Sequence, residues 1–225
     1  MSSKRWRAAA QLIDQSKTYA LPEAIGLLKQ TATTKFDASV EAHIRLGVDP
    51  SKADQGVRAT VELPHGTGKK LRIAVFAKGP AAKAAQEAGA DIVGDADLIA
   101  TIKKTEKVDF DIAIATPDMM KLLAPVAKIL GTKGLMPNPK AETVAADPAK
   151  AVLAWKKGKL AFRADNGGNL HAMIGKVSFS EQQLTENWQT LLEAIKKAKP
   201  SETKGTYIKS VTLTTSMGPG MKLAL

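Results

Sequence analysis

The chain has 225 residues, 44% of them hydrophobic, which is enough for one large core or two ordinary ones and excludes a disordered chain. Lys and Arg number 33 against 22 Asp and Glu, a net charge of +11 that calls for a polyanionic partner, nucleic acid first and membrane surface second. With no cysteine, disulfides, thiolate metal sites and cysteine nucleophiles are excluded, and 4% aromatics argues against a reader that stacks successive unpaired bases.

In chain order, Met1-Ser2-Ser3-Lys4-Arg5-Trp6-Arg7 leads into a short Ala run. Neither an apolar signal core nor a bilayer-length stretch follows, which predicts a soluble, intracellular protein with no membrane partner. Lys4 to Gln15 predicts a helix with Ala8, Leu12 and Ile13 along one side, and Leu21-Pro22-Glu23 opens a second through Ile25 and Leu28. From Ser39 to Leu46 the chain alternates. Val40, Ala42, Ile44 and Leu46 face one way, and Ser39, Glu41, His43 and Arg45 face the other, as a half-buried strand requires. After a turn at Asp49-Pro50-Ser51, Val57–Leu63 alternates again with Arg58, Thr60 and Glu62 outward, so the pair predicts an antiparallel sheet with one open face.

Residues 64–70, Pro-His-Gly-Thr-Gly-Lys-Lys, have linker chemistry, and beyond them the pattern changes. Leu71–Ala77 is a nearly continuous apolar run and Ala81–Ala88 a helix ending at Gly89. Asp91-Ile92-Val93 is a short strand, and Asp95 caps a helix through Ile99 and Ile102. Asp111–Ala115 is a further strand. Thr116-Pro117-Asp118 opens one helix through Leu122, Val126 and Ile129 to Gly131. Apolar strands alternating with helices predict a small parallel α/β unit, Rossmann-like by pattern. A helix from about Asp147 through Val152 and Trp155 closes it.

Beyond Gly158 the alternation returns: Leu160–Ala164, a turn at Asp165-Asn166-Gly167-Gly168, Leu170–Val177, a long amphipathic helix Glu181–Lys197, and a last strand Tyr207–Thr215. Similar grammar at both ends and different grammar between them predicts an insertion. The fold class is therefore α/β and α+β in two domains: an outer discontinuous α+β domain with an antiparallel sheet, from residues 1–66 and 160–225, and an inserted α/β domain with a parallel sheet, from residues 67–159. Gly66, Gly68 and Gly158 sit at the two crossings as hinge residues. Three consecutive units is the alternative.

In the last strand Ser210, Thr212, Thr214 and Ser216 share one face and Val211 and Leu213 the other, a row of hydroxyls that can meet ribose and phosphate. Alone, that row reads better as an ordinary solvated strand, and Met217-Gly218-Pro219-Gly220 as an ordinary loop. Neither 131–140 nor 66–70 has the spacing of a phosphate-binding loop; a stiff interdomain hinge fits them better. His43, His65 and His171 make no helical metal pair, and no carboxylates are paired for acid–base work, so no enzyme, metal or cofactor is expected. A nucleotide-binding α/β enzyme is kept as the alternative. Lys4-Arg5-Arg7, Lys156-Lys157-Lys159-Arg163 and Lys196-Lys197-Lys199 together predict a phosphate-facing surface.

Several strings resemble one known family in the right order across essentially the whole chain. Residues 131–140, Gly-Thr-Lys-Gly-Leu-Met-Pro-Asn-Pro-Lys, look like the signature loop of the L-one family of large-subunit ribosomal proteins, in its bacterial branch. Residues 36–41 and 61–66 resemble its first domain, and residues 171–176 and 214–219 its closing strands. The resemblance implies a cytoplasmic, ribosome-bound protein of the mobile side stalk, monomeric when free. Its outer domain would clamp large-subunit ribosomal RNA. The stalk would help deacylated tRNA leave the exit site, and the protein would repress its own operon by binding the messenger. By resemblance, RNA contacts fall on Lys35, Phe36, Ser39, His171, Lys176, Ser210, Thr214, Ser216, Met217 and Gly218. Ser216 departs from the usual Thr, keeping the hydroxyl and losing the methyl.

Overall fold

The computed structural model describes residues 4–50 and 52–224. Met1, Ser2 and Ser3, and Ser51 of the expected turn, lie outside the described residues. Contacts divide the chain into two compact units, Met1–Gly68 with Leu160–Leu225, and Lys69–Lys159.

The first pass through the first unit gives α1 (Lys4–Gln11), β1 (Thr18–Tyr19), α2 (Leu21–Thr31), β2 (Ser39–Leu46) and β3 (Arg58–Glu62). The second unit runs β4 (Ile73–Phe76), α3 (Pro80–Glu87), β5 (Ile92–Gly94), α4 (Ala96–Thr105), β6 (Ile112–Ala115), α5 (Pro117–Leu122), α6 (Ala127–Thr132) and α7 (Pro148–Lys157). The chain then supplies β7 (Lys159–Arg163), β8 (Asn169–Lys176), α8 (Glu181–Lys197), β9 (Ile208–Thr215) and β10 (Met221–Leu223).

The first unit is built on a five-stranded sheet, β1-β10-β9-β2-β8, beside a small β3-β7 sheet. β2 lies at the centre of the long sheet's antiparallel part, paired with β8 on one side and β9 on the other. Its inward residues Val40, Ala42, Ile44 and Leu46 meet Leu170, Ile174, Val211 and Leu213, and α2 and α8 cover them with Ile25, Leu28, Leu184, Trp188, Leu191 and Ile195. The spacing of the α8 residues is the helical repeat that puts one stripe on a core. A capping box starts α8: Ser180 Oγ accepts from Gln183 N at 3.2 Å, and Gln183 Oε1 accepts from Ser180 N at 2.9 Å.

The second unit has a three-stranded parallel sheet, β5-β4-β6. All four residues of β4 are buried because helices cover both of its faces. Ala74 and Phe76 pack with Ile99, Met119, Leu123 and Leu130, whereas Ile73 and Val75 pack with Ile114, Val152 and Trp155. The fold class read from the sequence holds.

Several elements differ from the sequence reading. α1 stops at Gln11, and Ile13 is buried while Leu12 is exposed. Asp14 ends it, its carboxylate accepting from Ser16 N at 2.9 Å while its own N–H donates to the Tyr19 hydroxyl at 2.8 Å. The expected single helix to Gly131 is split by a 3-10 turn, Ala124–Val126, because Pro125 cannot donate to the helical ladder. β1 and β10 are too short for a visible alternation. Finally, residues 131–140 lie inside the second unit, running from the last residues of α6 into a 3-10 turn at Pro139–Ala141, and therefore at neither crossing where a hinge was expected.

Candidate nucleic-acid interface

The outward face of the five-stranded sheet is open and polar. Its rows follow from the register. Ser39 pairs with Lys176, and Ser216 N donates to Ser39 O at 2.9 Å, so Ser216, Ser39 and Lys176 form one row. The next row is Thr214, Glu41 and Met173. Then come Lys222, Thr212, His43 and His171, followed by Ser210, Arg45 and Asn169. The hydroxyl row of β9 therefore runs down the face, one residue per row.

Two loops extend the first row. After β9, Gly218 N donates to Thr215 O at 2.8 Å, closing a turn that puts Met217 at its tip. Met217 has φ 65° and is 68% exposed. A non-glycine residue in left-handed backbone, with an apolar side chain held in water, is a strained feature that needs a use. Glycine is required next to it: a Cβ on Gly218 would stand 2.2 Å from Thr215 Oγ1. Thr214 Oγ1 lies 3.3 Å from both the Gly218 and Pro219 carbonyls, so its hydroxyl steadies the turn. Before β2, Lys35 and Phe36 are exposed, Phe36 at 57%. Asp37 ties that loop to the far strand, its carboxylate accepting from Ser178 N at 3.1 Å and Ser178 Oγ at 2.8 Å, while Lys176 Nζ donates to Asp37 O at 3.5 Å.

Of the expected positions, Ser39, Lys176, Thr214, Ser216, Met217 and Gly218 come together at one end of the face, joined by the loop carrying Lys35 and Phe36. His171 lies midway and Ser210 at the opposite end. Asp37 gave no signal in the sequence beyond standing next to Phe36. The second basic cluster is partly spent internally: Lys156 donates to the Gly89 carbonyl and Lys159 pairs with Glu142.

At the middle of the face His43 Nδ1 and His171 Nδ1 are 2.7 Å apart. Burial, and then the charge of His171, push the His43 imidazole below its ordinary value of 6.5, with Glu41 pulling the other way. Asp165, in the turn before β8, is lowered chiefly by the N–H of Asn169, which reaches its carboxylate at 2.7 Å.

Elsewhere in the first unit, Asn187 of α8 is completely buried, accepting from His65 N at 3.1 Å and donating to Gly66 O at 2.9 Å and Ile174 O at 2.8 Å. His65 Nε2 lies 2.6 Å from Glu186 Oε2. These contacts pin the segment that leads to the first crossing. Gly66 and Gly68 have φ 65° and 72°, and Gly158, which caps α7, has φ 115°. Among the described residues no helix is long and apolar enough to cross a membrane, and no group of His, Asp and Glu is placed to hold a metal ion.

A family profile described as the Ribosomal protein L1p/L10e family matches residues 28–219. A protein of Chloroflexus aggregans named large ribosomal subunit protein uL1 is 54% identical over 224 residues, covering 99% of this chain and 94% of its own length. Proteins of the same name from Thermosipho melanesiensis and Thermobifida fusca are 52% and 55% identical, covering 98% and 97% of this chain and 95% and 93% of themselves.

Proposed function

The chain belongs to the Ribosomal protein L1p/L10e family, and from that premise we propose that it is a non-enzymatic constituent of the large ribosomal subunit, bound in the cytoplasm to large-subunit ribosomal RNA through the open face of its five-stranded sheet. The α/β enzyme alternative gives way to the relatives' names, which are those of ribosomal proteins.

The observation that carries the RNA reading is the Ser216–Ser39–Lys176 row with Met217 and Phe36 raised beside it. Hydroxyls meet 2′-hydroxyls and phosphate oxygens, Lys176 supplies a phosphate partner, and two rigidly presented apolar side chains can wedge against sugars or base edges. Such a site reads the shape of a folded RNA and not a run of unpaired bases. Lys35, His171, Ser210, Thr214 and Gly218 complete it, the last two by holding the turn.

Family membership supports the remaining roles. The first unit is the RNA-binding domain and the second an inserted domain that swings at the side stalk as deacylated tRNA leaves the exit site. Gly66, Gly68 and Gly158 supply the left-handed backbone at or next to the crossings. The same face binds the protein's own operon messenger where that RNA repeats the ribosomal shape, and the free protein is a monomer.

The test is affinity for a folded stalk-RNA fragment against random duplex RNA across a salt series. Selective binding that survives moderate salt is expected. Weak binding, equal for both RNAs and collapsing with salt, reduces the interaction to counterion release and overturns the site.

A further inference from the structure

Four titratable groups stand in line across the middle of the open face. Glu41 Oε2 is 3.7 Å from His43 Nε2, His43 Nδ1 is 2.7 Å from His171 Nδ1, and His171 Nε2 is 3.6 Å from Asp165 Oδ2. The rings meet edge to face with centroids 4.9 Å apart. A nitrogen–nitrogen contact this short needs a proton on one atom and a lone pair on the other. With both rings neutral, the line carries the charge of its two carboxylates alone. One additional proton can enter at an Nε2, beside a carboxylate, and leave the N–H···N bond intact. A second would set two N–H groups against each other and break the pair.

Among the described residues, Arg45 on β2, Lys176 on β8 beside Asp37, and Lys222 on β10 also stand on this face; β9 adds the hydroxyls of Ser210, Thr212 and Thr214, with the exposed Lys209 near its start. With its rings neutral, the line is therefore a net-negative strip in the centre of a surface that, on the reading above, meets a polyanion. We propose that RNA binding takes up one proton at the His43–His171 pair, so that the complex forms with one imidazole charged between Glu41 and Asp165. The inference rests on the RNA-contacting role of the face and adds His43, Glu41 and Asp165 to it. The charged imidazole offsets one carboxylate, and the carboxylate oxygens remain as acceptors for ribose hydroxyls instead of phosphates.

The sign follows from linkage. In the free protein burial and His171 hold His43 below its ordinary 6.5, so the His43 ring is neutral at and above neutral pH. Phosphates brought near raise its proton affinity. Affinity for RNA therefore rises as pH falls, by up to about tenfold per pH unit for one proton, and levels off once the free protein takes up that proton itself.

The full chain is titrated with the stalk-RNA fragment and with random duplex at constant ionic strength, from about pH 8 to about pH 6. Wild type is expected to tighten on the fragment by roughly five- to tenfold, and His43→Gln to change by less than about twofold. Glu41→Gln, with one anion removed, binds tighter than wild type at the alkaline end and gains less on acidification. A flat wild-type profile, a full slope in His43→Gln, or weaker alkaline binding by Glu41→Gln overturns the proton uptake while leaving the RNA face in place. No preference for the fragment at any pH overturns the reading of the face, and this inference with it.

Discussion

β2 and β4 are both central strands, and they are used in opposite ways. β2 buries every second residue and leaves Ser39, Glu41, His43 and Arg45 on an open face. β4 buries all four of its residues, two against each of two apolar clusters. A sheet covered on one side has a surface to offer a partner along its whole length. A sheet covered on both sides has only its strand ends and loops. That contrast is the physical ground for proposing recognition on the first unit.

The contrast can be broken most severely at β4. Phe76→Asp puts a carboxylate where exposure is zero, against Phe110 at a ring distance of 6.1 Å. A loss of more than about 4 kcal/mol is expected, read as early melting of the second unit in hydrogen exchange, with stalk-RNA affinity preserved. An unchanged melting profile would contradict the two-sided core. Asn187→Leu comes next, stripping three hydrogen bonds from backbone groups, that of Ile174 buried and those of His65 and Gly66 part-buried, and costing about 2–4 kcal/mol by denaturant unfolding of the first unit. Neutral stability there would mean that water replaces the asparagine.

Smaller effects sharpen the comparison on the open face. Met217→Ala or Ser216→Val is expected to weaken stalk-RNA binding by about 1–2 kcal/mol with no change in Tm, since Met217 is exposed and Ser216 only half-buried. Full affinity in both would remove the turn from the site. The smallest effect belongs to the largest edit: replacing residues 69–159 by a short Gly-rich linker should leave RNA affinity within about threefold, because the linker's length enters the closure entropy only logarithmically. Loss of binding in a well-folded deletion would end the separation of roles.

Much of this was legible because periodicity is local. The alternation of Ser39–Leu46, the apolar run from Leu71 and the stripe of α8 each declare their burial within a few residues. Polar groups that act through distant partners did not. Asn187 occupies a core position of α8, yet a lone asparagine in a helix reads as solvated until its three backbone partners are known. His43 stands on the outward side of Ser39–Leu46 and His171 within Leu170–Val177, and nothing in either neighbourhood indicates a partner 128 residues away. The proposed contact edge gives little signal in residue chemistry alone. The hydroxyls of β9 look ordinary until Ser39, Lys176 and the Met217 turn are brought alongside them, and only the resemblance of whole strings anticipated that grouping.

The position of β2 also sets an order of events at birth. Both strands that flank it come from beyond the inserted unit, and its pairing with β8 joins residues 128 apart. At about 5–20 residues per second of synthesis, β2 waits roughly 6–26 s with both edges unpaired. The inserted unit, contiguous in the chain, is complete before that wait is over. The nascent chain thus carries a central strand open on two sides for about half of its elongation, and the face proposed to hold RNA is completed only once β9 has been made.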